Sequence, residues 1–183
     1  MKEVISNKIL WNLAAKNGLI LGCTTTACYF LNTVLVGLDS AIAISIMSFL
    51  IWGIKFGSAI YLMHFFMKKL AGTFDKVNNR TTFKYGMYIA LFSSVIFSGA
   101  ILLDQSVISP ERLELQMEAI YKLYSNILDS NSMTALESMQ NSIPQITFFS
   151  NLIYCFIYGT VLSSILSNSV PKKDPFEGYM NEE

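Results

Sequence analysis

The sequence predicts an all-α integral membrane protein of four transmembrane helices, and three observations carry that prediction. Hydrophobic residues fill 52% of the 183 positions and mean hydropathy is +0.44, while only 14% of residues are charged, against about a quarter in an average soluble domain. Four stretches each supply the roughly 20 mostly apolar residues that a helix needs to cross a bilayer. The charges sum to zero but are segregated between the segments that join those stretches.

The first span runs over 18–38, the second over 41–67, the third over 83–103 and the fourth over 146–168. Together they make residues 1–183 a single four-helix membrane domain, with a loop at 104–145 as its one sizeable excursion. Only Asp39 and Ser40 separate the first two spans, which predicts a tight helical hairpin. The first span has a basic front (Lys2, Lys8 and Lys16), and Ala41-Ile42-Ala43 resembles a small-residue cleavage site. Its apolar run nevertheless exceeds the roughly 7–15 residues of a signal-peptide core, so it is read as a retained span.

Lysine and arginine set the orientation. Lys2, Lys8 and Lys16 precede the first span; Lys68, Lys69, Lys76 and Arg80 lie between the second and third, with Lys84 at the very start of the third; Lys172 and Lys173 follow the fourth. The 104–145 loop carries only Arg112 and Lys122, beside Asp104, Glu111, Glu114, Glu118, Asp129 and Glu137. Both ends are therefore expected in the cytoplasm and the long loop outside. No clustered basic surface of the kind duplex binding requires is present, so nucleic acid is not an expected partner.

Residues 2–17 read as an amphipathic helix. Lys8, Asn12 and Lys16 fall on one face and Ile9, Leu10, Leu13 and Ala14 on the other. It either lies on the inner leaflet with Trp11 at headgroup level or continues directly into the first span. The outer loop opens with a helix start at Ser109-Pro110-Glu111. Leu113, Met117, Ile120, Tyr121, Tyr124 and Ile127 then recur at helical spacing, and Glu118 and Lys122 form an i, i+4 pair. After a turn at Asp129-Ser130-Asn131, Thr134 and Glu137 have the spacing of a capping box for a second helix. The expectation is an extracytoplasmic helical hairpin between the third and fourth spans.

Lys55 is the one full charge deep within a span, where a lysine costs roughly 2.5–3.5 kcal/mol on insertion scales. No acid falls at its depth. Counting along each helix brings Thr25 and Thr26 of the first span, Ser93 and Ser94 of the third, and Tyr154 and Tyr158 of the fourth to the same level. Three readings follow: hydroxyls and carbonyls hold the ammonium, an acid or anionic lipid from outside the chain faces it, or it lines a wet substrate path. Two G-x-x-x-G pairs, Gly18/Gly22 and Gly53/Gly57, suit close helix approach, and packing within the chain is the expected use. Cys23, Cys28 and Cys155 lie in apolar stretches and His64 stands alone, so neither a disulfide framework nor a metal site is expected. No catalytic triad, phosphate-binding loop or pair of intramembrane carboxylates is visible, which argues against an enzyme.

Several features together resemble an uncharacterised family of short bacterial inner-membrane proteins, domain-of-unknown-function family 4199. They are Trp11 followed by Gly18-Leu19-Ile20-Leu21-Gly22, the basic stretch after the second span, Phe83-Lys84-Tyr85-Gly86, the Pro-led outer helix and Lys172-Lys173-Asp174-Pro175-Phe176. Where the family has a glycine-rich inner loop, this chain has Asp75 to Arg80. The resemblance implies four helices with cytoplasmic ends in the bacterial inner membrane, no cofactor, and a setting among cell-envelope glycosyltransferases. The expected role is a non-catalytic accessory or scaffold subunit of a cell-envelope membrane complex, in contact with lipid and with another subunit or a second copy. The alternative is a small transporter or channel-like protein with Lys55 in a polar path.

Overall fold

Six α-helices account for nearly all of the computed structural model, which describes residues 6–35, 41–74, 77–124, 129–140 and 142–170. They are α1 (Asn7–Leu35), α2 (Ala41–Thr73), α3 (Asn79–Leu103), α4 (Pro110–Tyr124), α5 (Ser130–Gln140) and α6 (Ile143–Ser169), with a π-helical segment at Asp104–Ile108. Four of them, α1, α2, α3 (with the π segment) and α6, are long and apolar enough to cross a membrane. They correspond to the four expected spans. Expectations resting on Lys2, the Asp39-Ser40 turn, Asp75-Lys76, Ile127 and the 172–176 tail fall outside the described residues.

The ends of the helices follow from local chemistry. Asn78 caps α3, its side-chain oxygen accepting from the Thr81 amide at 2.8 Å, which satisfies an amide that the first turn leaves free. Pro144 lies in the first turn of α6, where its missing N–H costs nothing. The start of α5 differs from expectation. It begins at Ser130, and Asp129 accepts from the Ser132 amide at 3.1 Å. A carboxylate here both caps and opposes the helix dipole, so α5 starts before the Thr134 and Glu137 positions predicted to cap it.

Helix α3 is the centre of the bundle, packed extensively on α1 and α6, whereas α2 leans mainly on α1. The core gathers the start of α1 (Leu10, Ala14), the end of α2 (Met63, Phe66, Met67, Leu70), the start of α3 (Tyr85, Ile89, Ala90) and Val170 after α6. Successive spans therefore alternate in direction, and the bundle is tightest at the end carrying the chain's first helical turns. The separate surface helix considered for the N-terminal arm is replaced by a continuous α1. Leu10 and Ala14 share a stripe with Gly18, Leu21, Thr25 and Cys28 that packs inward, and Trp11 meets Tyr88 and Phe92 edge-on at 5.0 and 4.8 Å. The amphipathic face thus finds α3 instead of lipid headgroups.

Small residues set the close approaches. A Cβ on Gly18 would lie 2.6 Å from Phe92 Cβ, and one on Gly22 2.9 Å from Ile96 Cβ, so this pair packs α1 on α3. Gly86 faces Met67 and Ser163, Gly159 faces Ala90, and the Ser163 hydroxyl donates to the Phe83 carbonyl at 2.9 Å. These contacts join α3 to α6 as small-residue interfaces do in membranes. Gly53 and Gly57 behave otherwise: among the described residues nothing lies within 4 Å of a Cβ built on either. The second G-x-x-x-G pair thus packs against none of the described helices, because α2 touches the bundle through its other face and mostly through its last ten residues.

Candidate functional site

Where α2 diverges from the bundle, a cavity of about 80 Å³ opens among the four long helices. Each wall comes from one helical stripe. Lys55, Ala59 and Met63 project from α2 at i, i+4 and i+8, with Phe56 beside them; Ala90, Ser93, Ser94 and Phe97 come from α3 at i, i+3, i+4 and i+7. From α1, Leu21 and Thr25 stand one turn apart, and α6 contributes Tyr154, Cys155, Tyr158, Gly159 and Leu162. Of the residues expected at one depth, Lys55, Thr25, Ser93, Ser94, Tyr154 and Tyr158 line one space, and Thr26 does not. Its surface is mostly apolar.

Within that space the ammonium is not held by hydroxyls and carbonyls, the first of the three readings. Lys55 Nζ sits over the Phe97 ring, 4.2 Å from its centroid, a cation–π contact. Two of the neighbouring hydroxyls serve their own helices. Thr25 donates to the Leu21 and Gly22 carbonyls at 3.1 and 2.9 Å, and Ser94 to the Leu91 carbonyl at 2.8 Å, the back-bonding usual for such residues in helices. Among the described residues no oxygen accepts a hydrogen bond from Nζ and no carboxylate pairs with it. Tyr158 contributes its ring, edge-on to Phe56 at 5.3 Å. The aromatic partner was missed at the level of sequence, although Phe97 lies one turn beyond Ser93 and Ser94 on the same stripe.

A second polar centre lies where α3 gives way to the π segment. The Ser109 amide donates to the Asp104 carbonyl at 2.8 Å, the i to i−5 bond that closes the π turn. Asp104, one of the charges counted with the 104–145 loop, is only 2% exposed. Its Oδ2 accepts from the Tyr29 hydroxyl at 2.7 Å and pairs with Arg112 of α4 at 3.4 Å. Ser109, expected to cap α4 with its hydroxyl, instead accepts from the Arg112 guanidinium at 2.7 Å. Asp104 is thereby committed to joining α1, the π segment and α4.

Helix α4 turns outward from this junction. Met117 is its one buried residue, Leu115, Ile120 and Leu123 are exposed, and a hydrogen bond from Tyr121 to Gln140 at 3.3 Å links it to α5. Lys122 and Glu118 pair at 2.7 Å, and the bond and charge of Lys122 hold the Glu118 carboxyl below its ordinary range. Among the described residues no three His, Cys, Asp or Glu side chains converge as metal ligands. No family model matches the chain, and no curated protein or solved structure matches it either.

Proposed function

We propose that this chain is a non-catalytic accessory or scaffold subunit of a membrane complex, and that Lys55 serves assembly and not transport. The observation that carries the reading is a cation inside a small, mostly apolar cavity with no carboxylate among its described neighbours. A lysine at this depth costs roughly 2.5–3.5 kcal/mol, and one cation–π contact returns about 0.5–2 kcal/mol. The remainder is naturally offset by a group from outside the chain. Transport through the bundle would call for a hydrated path, whereas the hydroxyls of Thr25 and Ser94 are turned to their own backbone.

In this reading the protein lies in a bacterial inner membrane with cytoplasmic ends, as the lysine and arginine distribution favours. The acidic α4 and α5 region then forms a hairpin on the outer surface, and membership of family 4199 would place it beside cell-envelope enzymes. Affinity purification from cross-linked native membranes in mild detergent, with mass spectrometry of what accompanies the chain, tests the proposal. Recovery of a stoichiometric membrane partner is expected, and a chain recovered alone would refute the reading.

A further inference from the structure

We infer that the Lys55 cavity receives a carboxylate carried at mid-membrane depth on a partner's transmembrane helix, seated along the fissure between α2 and α6. The inference rests on the subunit reading above and adds to it the partner's chemistry and its docking surface.

The fissure follows from the packing. None of residues 42–62 of α2 is buried, a length of about 30 Å at helical rise, close to the thickness of a bilayer core. Contacts between α2 and α6 are sparse. Along this stretch Phe49, Trp52 and Phe56 form a ladder of adjacent rings, at 6.0 and 4.6 Å, that ends on Tyr158 of α6. Tyr154, on the opposite wall, is 62% exposed. A helix laid in this groove would meet the aromatic ladder over about 10 Å of its length and the cavity mouth beside it.

Charge and depth then select the occupant. Lys55 is unpaired among the described residues, so the complementary group is an anion. It lies fourteen residues after the start of α2 and eighteen before its end, about 21 and 27 Å of helical rise. A lipid headgroup would have to leave the interface to reach it, whereas a side chain fixed to a spanning helix is carried there by its backbone. A cavity of about 80 Å³ beside the ammonium has room for a carboxylate. A second copy of this chain cannot supply the group, because spans 18–38, 41–67, 83–103 and 146–168 contain no Asp or Glu.

The test uses the full-length chain in phosphatidylcholine vesicles with synthetic spanning helices of about 21 leucines bearing a central Asp, a central Lys or neither, association being read by energy transfer. The wild type is expected to bind the Asp helix about tenfold more tightly than the all-Leu helix, the scale of an intramembrane polar contact. Lys55→Met should abolish the preference, and Lys55→Arg should restore it, which separates charge from folding. Equal binding of Asp and all-Leu helices, or a preference that survives Lys55→Met, overturns the inference. So does Lys55-dependent retention of spin-labelled stearate without any helix preference, which would make the ligand a free amphiphile. If the cross-linked complex is recovered while the Asp helix shows no preference, this inference alone fails and the subunit reading stands.

Discussion

The Tyr29 hydroxyl donates a 2.7 Å hydrogen bond to Oδ2 of Asp104 and so ties α1 to the residue at which α3 passes into a π-helical turn. The same oxygen meets Arg112, 39% exposed in its side chain, at 3.4 Å. One buried carboxylate therefore holds three elements, and its two partners are unequal. The tyrosine bond is short and mostly shielded, whereas the guanidinium is longer-range and partly wet.

That inequality predicts the ranking of two substitutions. Tyr29→Phe should lower unfolding stability by about 2 kcal/mol, the usual worth of a hydrogen bond to a charged group. Arg112→Gln should lower it by about 1 kcal/mol or less, as for a partly exposed ion pair. Denaturant unfolding in detergent micelles measures both. Amide exchange adds a spatial signature: Arg112→Gln should loosen α4 without affecting α3. A larger loss for Arg112→Gln would mean that the ion pair, and not the tyrosine, holds this junction.

The glycines divide into two sets with opposite expectations. Gly18→Ala, Gly22→Ala and Gly159→Ala each force a methyl against Phe92, Ile96 or Ala90, an overpacking that typically costs about 1–3 kcal/mol. Gly53→Ala and Gly57→Ala meet open space and should leave the isolated chain's stability unchanged. Thermal unfolding of all five variants in one detergent checks the division. Loss of stability in the Gly53 or Gly57 variant would place an α2 neighbour where none is seen.

How much of this was legible beforehand depended on which coordinate of a helix was asked for. Depth is legible, because a fixed rise converts position along a span into height; that is why Lys55, Thr25, Ser93, Ser94 and Tyr158 were brought to one level and are found around one cavity. Azimuth is not. In a soluble helix the polar face marks the outside, but lipid and bundle core are both apolar, so nothing distinguished the packed Gly18/Gly22 face from the open Gly53/Gly57 face. The same blindness hid Phe97, which differs from a dozen other phenylalanines only in facing the lysine. The burial of Asp104 was unreadable for another reason: it depends on a π turn and on an arginine eight residues later, neither of which leaves a period in the sequence.

Orientation is open to a direct check. Glu118 on α4 and Lys69 near the end of α2 are both exposed and should lie on opposite sides of the membrane if the charge bias is obeyed. In a background with Cys23, Cys28 and Cys155 replaced by serine or alanine, Glu118→Cys should react with a membrane-impermeant maleimide in intact cells. Lys69→Cys should react only after permeabilisation. The reverse pattern would invert the topology, and reaction of both from one side would remove it.

Acidification should act first on the outer helices. Asp129 accepts from the Ser132 hydroxyl and amide, which hold its carboxyl below the ordinary range. A carboxyl lowered in the folded state contributes stability above its unfolded pKa and loses it as pH falls through the folded value. The cap on α5 is therefore intact at neutral pH and released below the usual carboxylate range. The protection factor of the Ser132 amide should fall in that window in the wild type. In Asp129→Ala it should be low and independent of pH, and a wild type that keeps its protection through the same window would show that the cap does not govern the end of α5.

Lys55 and Phe97 should be energetically coupled within the isolated chain. Lys55→Met removes a charge whose burial is unfavourable and leaves an apolar side chain of similar length, so the isolated chain should be no less stable. Phe97→Leu removes the ring beneath the ammonium 4.2 Å away and also some packing. If the cation–π contact is real, Phe97→Leu should be more damaging with Lys55 present than with Met in its place, by about 1 kcal/mol. A double-mutant cycle from unfolding in micelles isolates that difference, because the packing loss is common to both backgrounds. A coupling near zero would mean that the ammonium does not rest on Phe97 and that the cavity's only cation is held elsewhere.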